Sequence, residues 1–570
     1  MKFKNILNQK GVIIFFLVML VAINWAASIW HTRLDLTNEK RFTLSSPTKT
    51  LLKNLDDKVN VTVFLKGASN SGFTKLAKST EELLNEFREI NGSKFQYKFI
   101  DPDDMVEGTS TSWADTLQSM GAAPLIVNAQ IKSGEQQLKI YPVAMAAYKE
   151  KLDLISLYAG NSINLTVSEI NSSEAMLEYA FSNSITRLKS TTKPMVAYSI
   201  GNGEAVGPES YDLRTMLQYD DTLFALNLDR IKFIPDTFKI LIIVKPTIAF
   251  NEDEKLKIDQ YVMRGGKLLL FEDKLNAEMD SIKANNEVVA YDRELGLNDL
   301  LFKYGVRINS DIVMDLQCDK YPFDLNGNSQ YQLISWNYFP LIQTKPTHLI
   351  NKNLGIISSR FANSIDTSID AEGLKRTILL STSENSRTIS TPAIISTKEN
   401  RQEPDKALFN KSNIPIAVLM EGKFTSLYKN RISQSQLDTF NYYGVDYYSE
   451  SKKDNKMIVV ADGDIVLNEF YKQEPLPMGV NPYSMVKGQQ TYPLANRSFL
   501  QNCVEYLINE NGLMEAKSKD YTPYFLNPKK IEKEKTSWQL LNIATPILAV
   551  ILFGLFFQWH RKRKYTKGNI

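Results

Sequence analysis

From Trp538 to Trp559 the chain runs WQLLNIATPILAVILFGLFFQW without one charged residue, and it stops against His560, Arg561, Lys562, Arg563 and Lys564. No other stretch limits the fold as much. At roughly 1.5 Å per residue a helix of this length crosses a hydrocarbon core of about 30 Å, and a charge at its centre would cost roughly 2.5 to 3.5 kcal/mol. Pro546 and Gly554 are tolerated in membrane helices. The tryptophans at both ends and the basic exit suit a headgroup boundary better than a protein interior. The run therefore reads as a membrane span with a cytoplasmic stop.

The other end repeats the pattern in mirror order. Lys2, Lys4 and Lys10 precede Val12 to Trp30, an uncharged apolar run with Trp25 and Trp30 toward its far edge. A cleavable signal peptide competes here, since Ala26, Ala27 and Ser28 are small, but the run exceeds a signal core of roughly 7 to 15 residues. The expected order is a cytoplasmic basic N-terminus (1–11), a transmembrane helix (12–30), a juxtamembrane connector (31–56), an extracytoplasmic body, a linker (516–537), a second transmembrane helix (538–559) and a basic tail (560–570). With both flanks inside, the body lies in the periplasm and the spans in the inner membrane.

The formal charge of +3 conceals an asymmetry: eight of the cations are the three N-terminal lysines and Arg561, Lys562, Arg563, Lys564 and Lys567, which leaves about −5 for the rest. Basicity is thus concentrated where anionic headgroups would be, and nucleic-acid binding loses its motivation. A chain of 570 residues with 43% apolar composition has room for two or three domains. Its two cysteines, Cys318 and Cys503, would pair only in an oxidising compartment; with no spacing motif, two buried free thiols are the plainer expectation.

The body reads as α/β in two parts. In 57–190, strands at Val59–Leu65 and Lys94–Ile100 flank an amphipathic helix at Thr74–Ile90. A strand after Pro124, a turn at Ser133 and Gly134, a strand at Gln136–Tyr141 and a helix opened by Pro142 follow. This order resembles a thioredoxin-like fold, though no cysteine is present for dithiol chemistry. In 191–515, apolar strands at Pro194–Ile200, Phe238–Val244, Lys267–Phe271 and Lys456–Ala461 alternate with helices, which implies a parallel sheet covered on both faces. The polar stretch 381–413 reads as a long loop or insertion.

Open parallel sheets bind ligands at the carboxyl ends of their strands. That rule puts Gly203, Glu204, Glu272, Asp273, Asp462 and Asp464 on one rim, as a candidate cation, acid–base or ligand site. Gly/Asp/Asn-rich exits also serve ordinary turn chemistry, which is the simpler explanation. Of three histidines only His348 lies in the body; no G-x-S-x-G, Walker A or metal-ligand spacing accompanies it. A hydrolase using Cys318 or His348 thus has little to build on.

Taken together, Asp35–Ser45 (DLTNEKRFTLS), Tyr198–Glu204 (YSIGNGE), Tyr261–Glu272 (YVMRGGKLLLFE), Ile414–Phe424 (IPIAVLMEGKF) and Met457–Asp464 (MIVVADGD) between two terminal spans resemble the gliding-motility-associated ABC transporter component family, GldG. The resemblance implies an ABC-transporter auxiliary domain with a glutamine-amidotransferase-like fold, no cofactor, and partnership with an ABC ATPase subunit (GldA-like) and a permease-like membrane subunit (GldF-like). It also implies contact with periplasmic motility or secretion components. An amidotransferase needs a nucleophilic Cys after its central strand, and here Phe271 leads into Glu272 and Asp273. The expectation is a non-enzymatic auxiliary subunit, with a periplasmic module for a glycan or peptide as the alternative.

Overall fold

The computed structural model describes residues 15, 17–24, 43–67, 70–131, 134–158, 166–324, 330–397, 404–485, 493–509, 512–518 and 528–566. The chain divides into two compact units, Met1–Asp520 and Tyr521–Ile570. Phe15 and residues 17–24 are helical and exposed. The rest of the expected first span, with Trp25 and Trp30, the connector up to residue 42 and linker residues 519–527 lie outside the described residues.

The first unit opens with α1 (Ser46–Lys53), where the Ser45 side chain caps the helix and Pro47 sits in its first turn. Next come β1 (Val59–Val63), α2 (Ser71–Asn91), β2 (Phe95–Phe99), α3 (Trp113–Ser119), β3 (Leu125–Ile131), β4 (Gly134–Ile140), β5 (Val143–Tyr148), β6 (Lys151–Ser156) and α4 (Val167–Lys189). The sheet order is β2-β1-β5-β6, with β2 parallel and β5 antiparallel to β1. Two expectations change. Pro142 opens β5, not a helix: Ala144 and Ala146 face the core at alternate positions and pair with β1, which overrides the helix preference of an alanine-rich stretch. The β3–β4 hairpin after Pro124 stands outside this sheet and, among the described residues, pairs only with itself. α4 is held by a capping box between Thr166 and Glu169, and it packs Leu177, Phe181 and Ile185 against the sheet core.

The larger sheet is built from β7 (Met195–Ile200), α5 (Tyr211–Asp220), β8 (Thr222–Asn227), β9 (Phe238–Val244), α6 (Glu252–Met263) and β10 (Lys267–Phe271). An excursion follows through α7 (Met279–Asn285), β11 (Glu287–Ala290), α8 (Asn298–Lys303), β12 (Arg307–Ile308), β13 (Asp311–Asp315), β14 (Cys318–Asp324), β15 (Tyr331–Gln343), β16 (Ile356–Ser358) and β17 (Ile365–Asp366). The chain then continues as β18 (Leu374–Ser381), β19 (Ser386–Ser390), β20 (Ala393–Ser396), β21 (Pro415–Gly422), α9 (Gln434–Tyr442), β22 (Asn455–Val460) and α10 (Asn496–Ile508).

Seven strands lie in the order β18-β21-β22-β10-β9-β7-β8. From β22 to β8 neighbours run parallel, as expected; β21 is antiparallel to β22, and β18 to β21. Leu269 at the centre pairs with Ile242 and Ile458, and both faces are buried, which is why these strands are continuous apolar runs. The stretch 381–413 is not one long loop: β19 pairs with β13 and β20 with β11, burying Ser386, Ala393 and Ile395.

The second unit contains α11 (Pro528–Thr566), one helix of 39 residues. Its segment Lys535–Arg563 is long and apolar enough to cross a membrane by length and composition, and none of its most apolar stretch is buried. Pro546 lies inside it, and the neighbouring Thr545 hydroxyl is satisfied by donating to the Leu541 carbonyl at 2.6 Å.

Candidate functional site

Three parallel strands end side by side, and their exits interlock. The Lys245 amide donates to the Phe271 carbonyl at 2.8 Å, and the Glu272 amide to the Val460 carbonyl at 2.9 Å. Lys245 itself adopts a left-handed φ of 50°, uncommon for a residue with a side chain. Its Nζ lies 2.5 Å from Asp464 Oδ1, 3.1 Å from Asp273 Oδ2 and 3.2 Å from Glu278 Oε2. Asp273 Oδ1 accepts the Gly463 amide at 2.5 Å. A Cβ on Gly463 would come within 2.7 Å of Lys245 Cβ, so this close approach requires glycine.

Asp462 completes the cluster. Its carboxylate accepts the Ser359 hydroxyl at 2.6 Å and the amides of Arg360 and Asp464, each at 2.8 Å. Burial, then the charges of Asp464 and Asp273, push the Asp462 carboxyl well above the usual range. Burial opposes the charge on Lys245, yet Asp273, Asp464 and Glu278 together hold its ammonium well above its ordinary value.

The other rim residues are placed elsewhere. Glu272 is fully buried, neither carboxylate oxygen has a hydrogen-bond partner among the described residues, and Lys274 Nζ lies 4.0 Å away. Burial pushes its carboxyl up to about 7. Successive residues of an extended chain point to opposite faces, which separates Glu272 from Asp273. Gly203, at φ 71°, packs against Thr247: an added Cβ would lie 2.0 Å from the Thr247 hydroxyl. The Asn202 carbonyl accepts the amides of Thr247 and Ile248, both at 2.9 Å, and Glu204 accepts the Asn202 amide at 2.7 Å.

Strand order reverses between β7 and β9, the position at which such sheets open a ligand crevice. Here the chain fills it with its own two loops. Of the six rim residues, Asp273 and Asp464 meet at Lys245, Asp462 is joined to them through the Asp464 amide, Gly203 and Glu204 close the switch point, and Glu272 is buried apart. The centre that a cation would take is occupied by the Lys245 ammonium. Lys245, Glu278, Ser359 and Arg360 were invisible as participants, because a lysine after an apolar strand carries no signature of its turn. At the exit of β10, where the resemblance would put a nucleophilic cysteine, stands Glu272.

Neither cysteine nor His348 joins this cluster. Both thiols are free. Cys318 Sγ donates to Asn337 Oδ1 at 3.4 Å, and burial with the Asp315 and Asp319 charges pushes it up to about 12. Cys503 is buried within α10. His348 Nδ1 accepts the Ile350 amide at 3.2 Å, and its ring meets Tyr506 edge-on at 4.7 Å.

Comparison with known proteins adds what geometry alone does not. Residues 193–503 match a family described as an ABC-type uncharacterized transport system, and residues 38–147 match a domain of unknown function (DUF7088). A relative from Borreliella burgdorferi, an "Uncharacterized protein", is 21% identical over 551 residues, covering 94% of this chain and 95% of its own. Among solved structures, the mmIFT52 N-terminal domain aligns at 13% identity with a TM-score of 0.30, over 55% of this chain and 96% of that one. A ThuA-like protein from Parabacteroides merdae aligns at 9% identity with a TM-score of 0.25, over 56% and 90%.

Proposed function

The chain belongs to the ABC-type uncharacterized transport system family, and from that premise we propose that it is a non-catalytic accessory subunit of a membrane transport complex. The family match over 193–503 carries this reading, and the apolar segment Lys535–Arg563 supports membrane association. The finer reading is a GldG-like component working with GldA-like ATPase and GldF-like permease subunits, anchored in the inner membrane at both ends with its body periplasmic. The segments Tyr198–Glu204, Tyr261–Glu272 and Met457–Asp464 support that identity, and the β2-β1-β5-β6 order supports a thioredoxin-like first domain.

Double anchoring has physical support in the first unit. The chain enters the folded body at α1 and leaves it at residues 513–518, and both segments rest on α4. On the entry side the Ser45 amide donates to Glu178 at 2.7 Å, and Thr48 and Ser182 share a hydrogen bond of 3.0 Å. On the exit side Lys517 Nζ binds Glu505 at 3.1 Å above the Tyr179 ring, while Met514 packs on Tyr179. Gly512 lies against Pro47. Two tethers leaving from one place can reach one membrane surface without spanning the body.

Purification of the intact protein from its own membranes in mild detergent tests the assignment. An ATPase and a permease-like subunit are expected to accompany it; recovery as a free monomer contradicts it.

A further inference from the structure

A cavity of about 620 Å³ opens on the edge of the large sheet opposite the Lys245 cluster. Its walls are the amino ends of β7 and β9, the junction of α5 with β8, the last turns of α10 and the C-terminal end of α4. The volume is that of an ordinary small-molecule site. Met195, Met216, Val504 and Ile508 give it an apolar lining that can adapt its shape.

Most charges around it are already matched. Arg187 bridges Asp153 at 2.5 Å and Asp220 at 2.6 Å. Glu505 takes Lys517, Gln501 and Asn183 at 3.1 to 3.3 Å. Lys193 directs its ammonium to the carbonyls of Gln218 and Tyr219, at 3.0 and 2.6 Å. Asp221 differs. It is only 7% exposed, it lines the cavity, and among the described residues no hydrogen-bond donor reaches its carboxylate. It also follows Asp220 at the C-terminal end of α5, where the helix dipole disfavours negative charge. Lys193 acts on this buried carboxylate only at a distance, since its ammonium is hydrogen-bonded to the two carbonyls, so no cation is in direct contact with Asp221 among the described residues.

We propose that this cavity binds a small organic ammonium ligand, with the charged head on Asp221 and an apolar stem against Met195, Met216, Val504 and Ile508. An anion would meet Asp220, Asp221 and Glu505 together, and among the described residues these carboxylates are not grouped so as to hold a metal ion. Burial, reinforced by Asp220 and Glu505 and opposed by Lys193, pushes the Asp221 carboxyl up to about 7. Binding of an ammonium therefore strengthens as pH rises through that value, while Arg187 remains engaged with Asp153 and Asp220.

Calorimetric titration of the full chain in detergent with phenethylammonium provides the test, with 3-phenylpropanol and 3-phenylpropanoate as neutral and anionic counterparts. The ammonium alone should bind saturably, and Asp221→Asn should weaken it at least about tenfold, the loss of one ionic contact. Ile508→Trp, which crowds the apolar lining with an indole and leaves Asp221 in place, should weaken binding. No saturable binding of the ammonium by the natural chain, equal binding of the alcohol, or unchanged affinity in either variant overturns the proposal.

Discussion

Glu272 shows how one residue's surroundings decide its chemistry. Read in order, it is simply the first acid after an apolar strand. Inside the fold neither oxygen has a hydrogen-bond partner among the described residues, and its carboxyl is pushed up to about 7 by burial. The native state therefore holds a proton that the unfolded chain has released, so this residue's effect lowers stability as pH rises from about 4.5 to about 7 and is fully expressed above that. Glu272→Gln removes the effect. Chemical unfolding across this range should show the variant gaining on the natural chain by about 3 kcal/mol, with the gap opening between about pH 4.5 and pH 7. A difference that does not change with pH contradicts this account. At this scale the sequence was a partial guide: Asp273, Asp462 and Asp464 do share a strand edge, as the exit-loop rule required. Lys245, which pairs with Asp273, Asp464 and Glu278, was not legible, because its left-handed turn and three carboxylate partners from distant segments leave no local trace.

Elements were legible where a run had to be apolar throughout or carried its own cap. β9, β10 and β22 were evident because two covered faces leave no polar positions; the capping box of Asn251 and Glu254 that starts α6 is seen in the structure. β5 was hidden by residues of high helix propensity that pair with β1, and β8 by the exposed positions of an edge strand. The short strands of the excursion depend on partners far along the chain, as β19 does on β13. Among elements α4 has a special place, since chain entry and exit both rest on it. Lys517 fixes the exit by binding Asn502 at 2.5 Å and Glu505 at 3.1 Å. Lys517→Met leaves Glu505 short of its cation and should cost about 3 kcal/mol. Hydrogen exchange should then speed up across 513–518 while the central strands stay protected; unchanged protection there would show that the ion pair does not hold the exit.

For the molecule as a whole, the family match places a body of interlocked strand exits in a transport system, and the second unit supplies a helix that could cross a membrane. That helix begins at Pro528, ten residues before the apolar run that was legible as a span, and at 39 residues it is roughly 58 Å long. The added turns are lysine- and glutamate-rich, which is why hydropathy alone did not include them. The proposed role is therefore mechanical or organising, with ATP chemistry left to a partner. The most direct measurement is ATP turnover by the purified complex in lipid, with and without this chain, alongside the isolated chain. The isolated chain should hydrolyse nothing, and its omission should change the turnover of the partners. Hydrolysis by the chain alone, or partner turnover indifferent to its presence, would contradict that role.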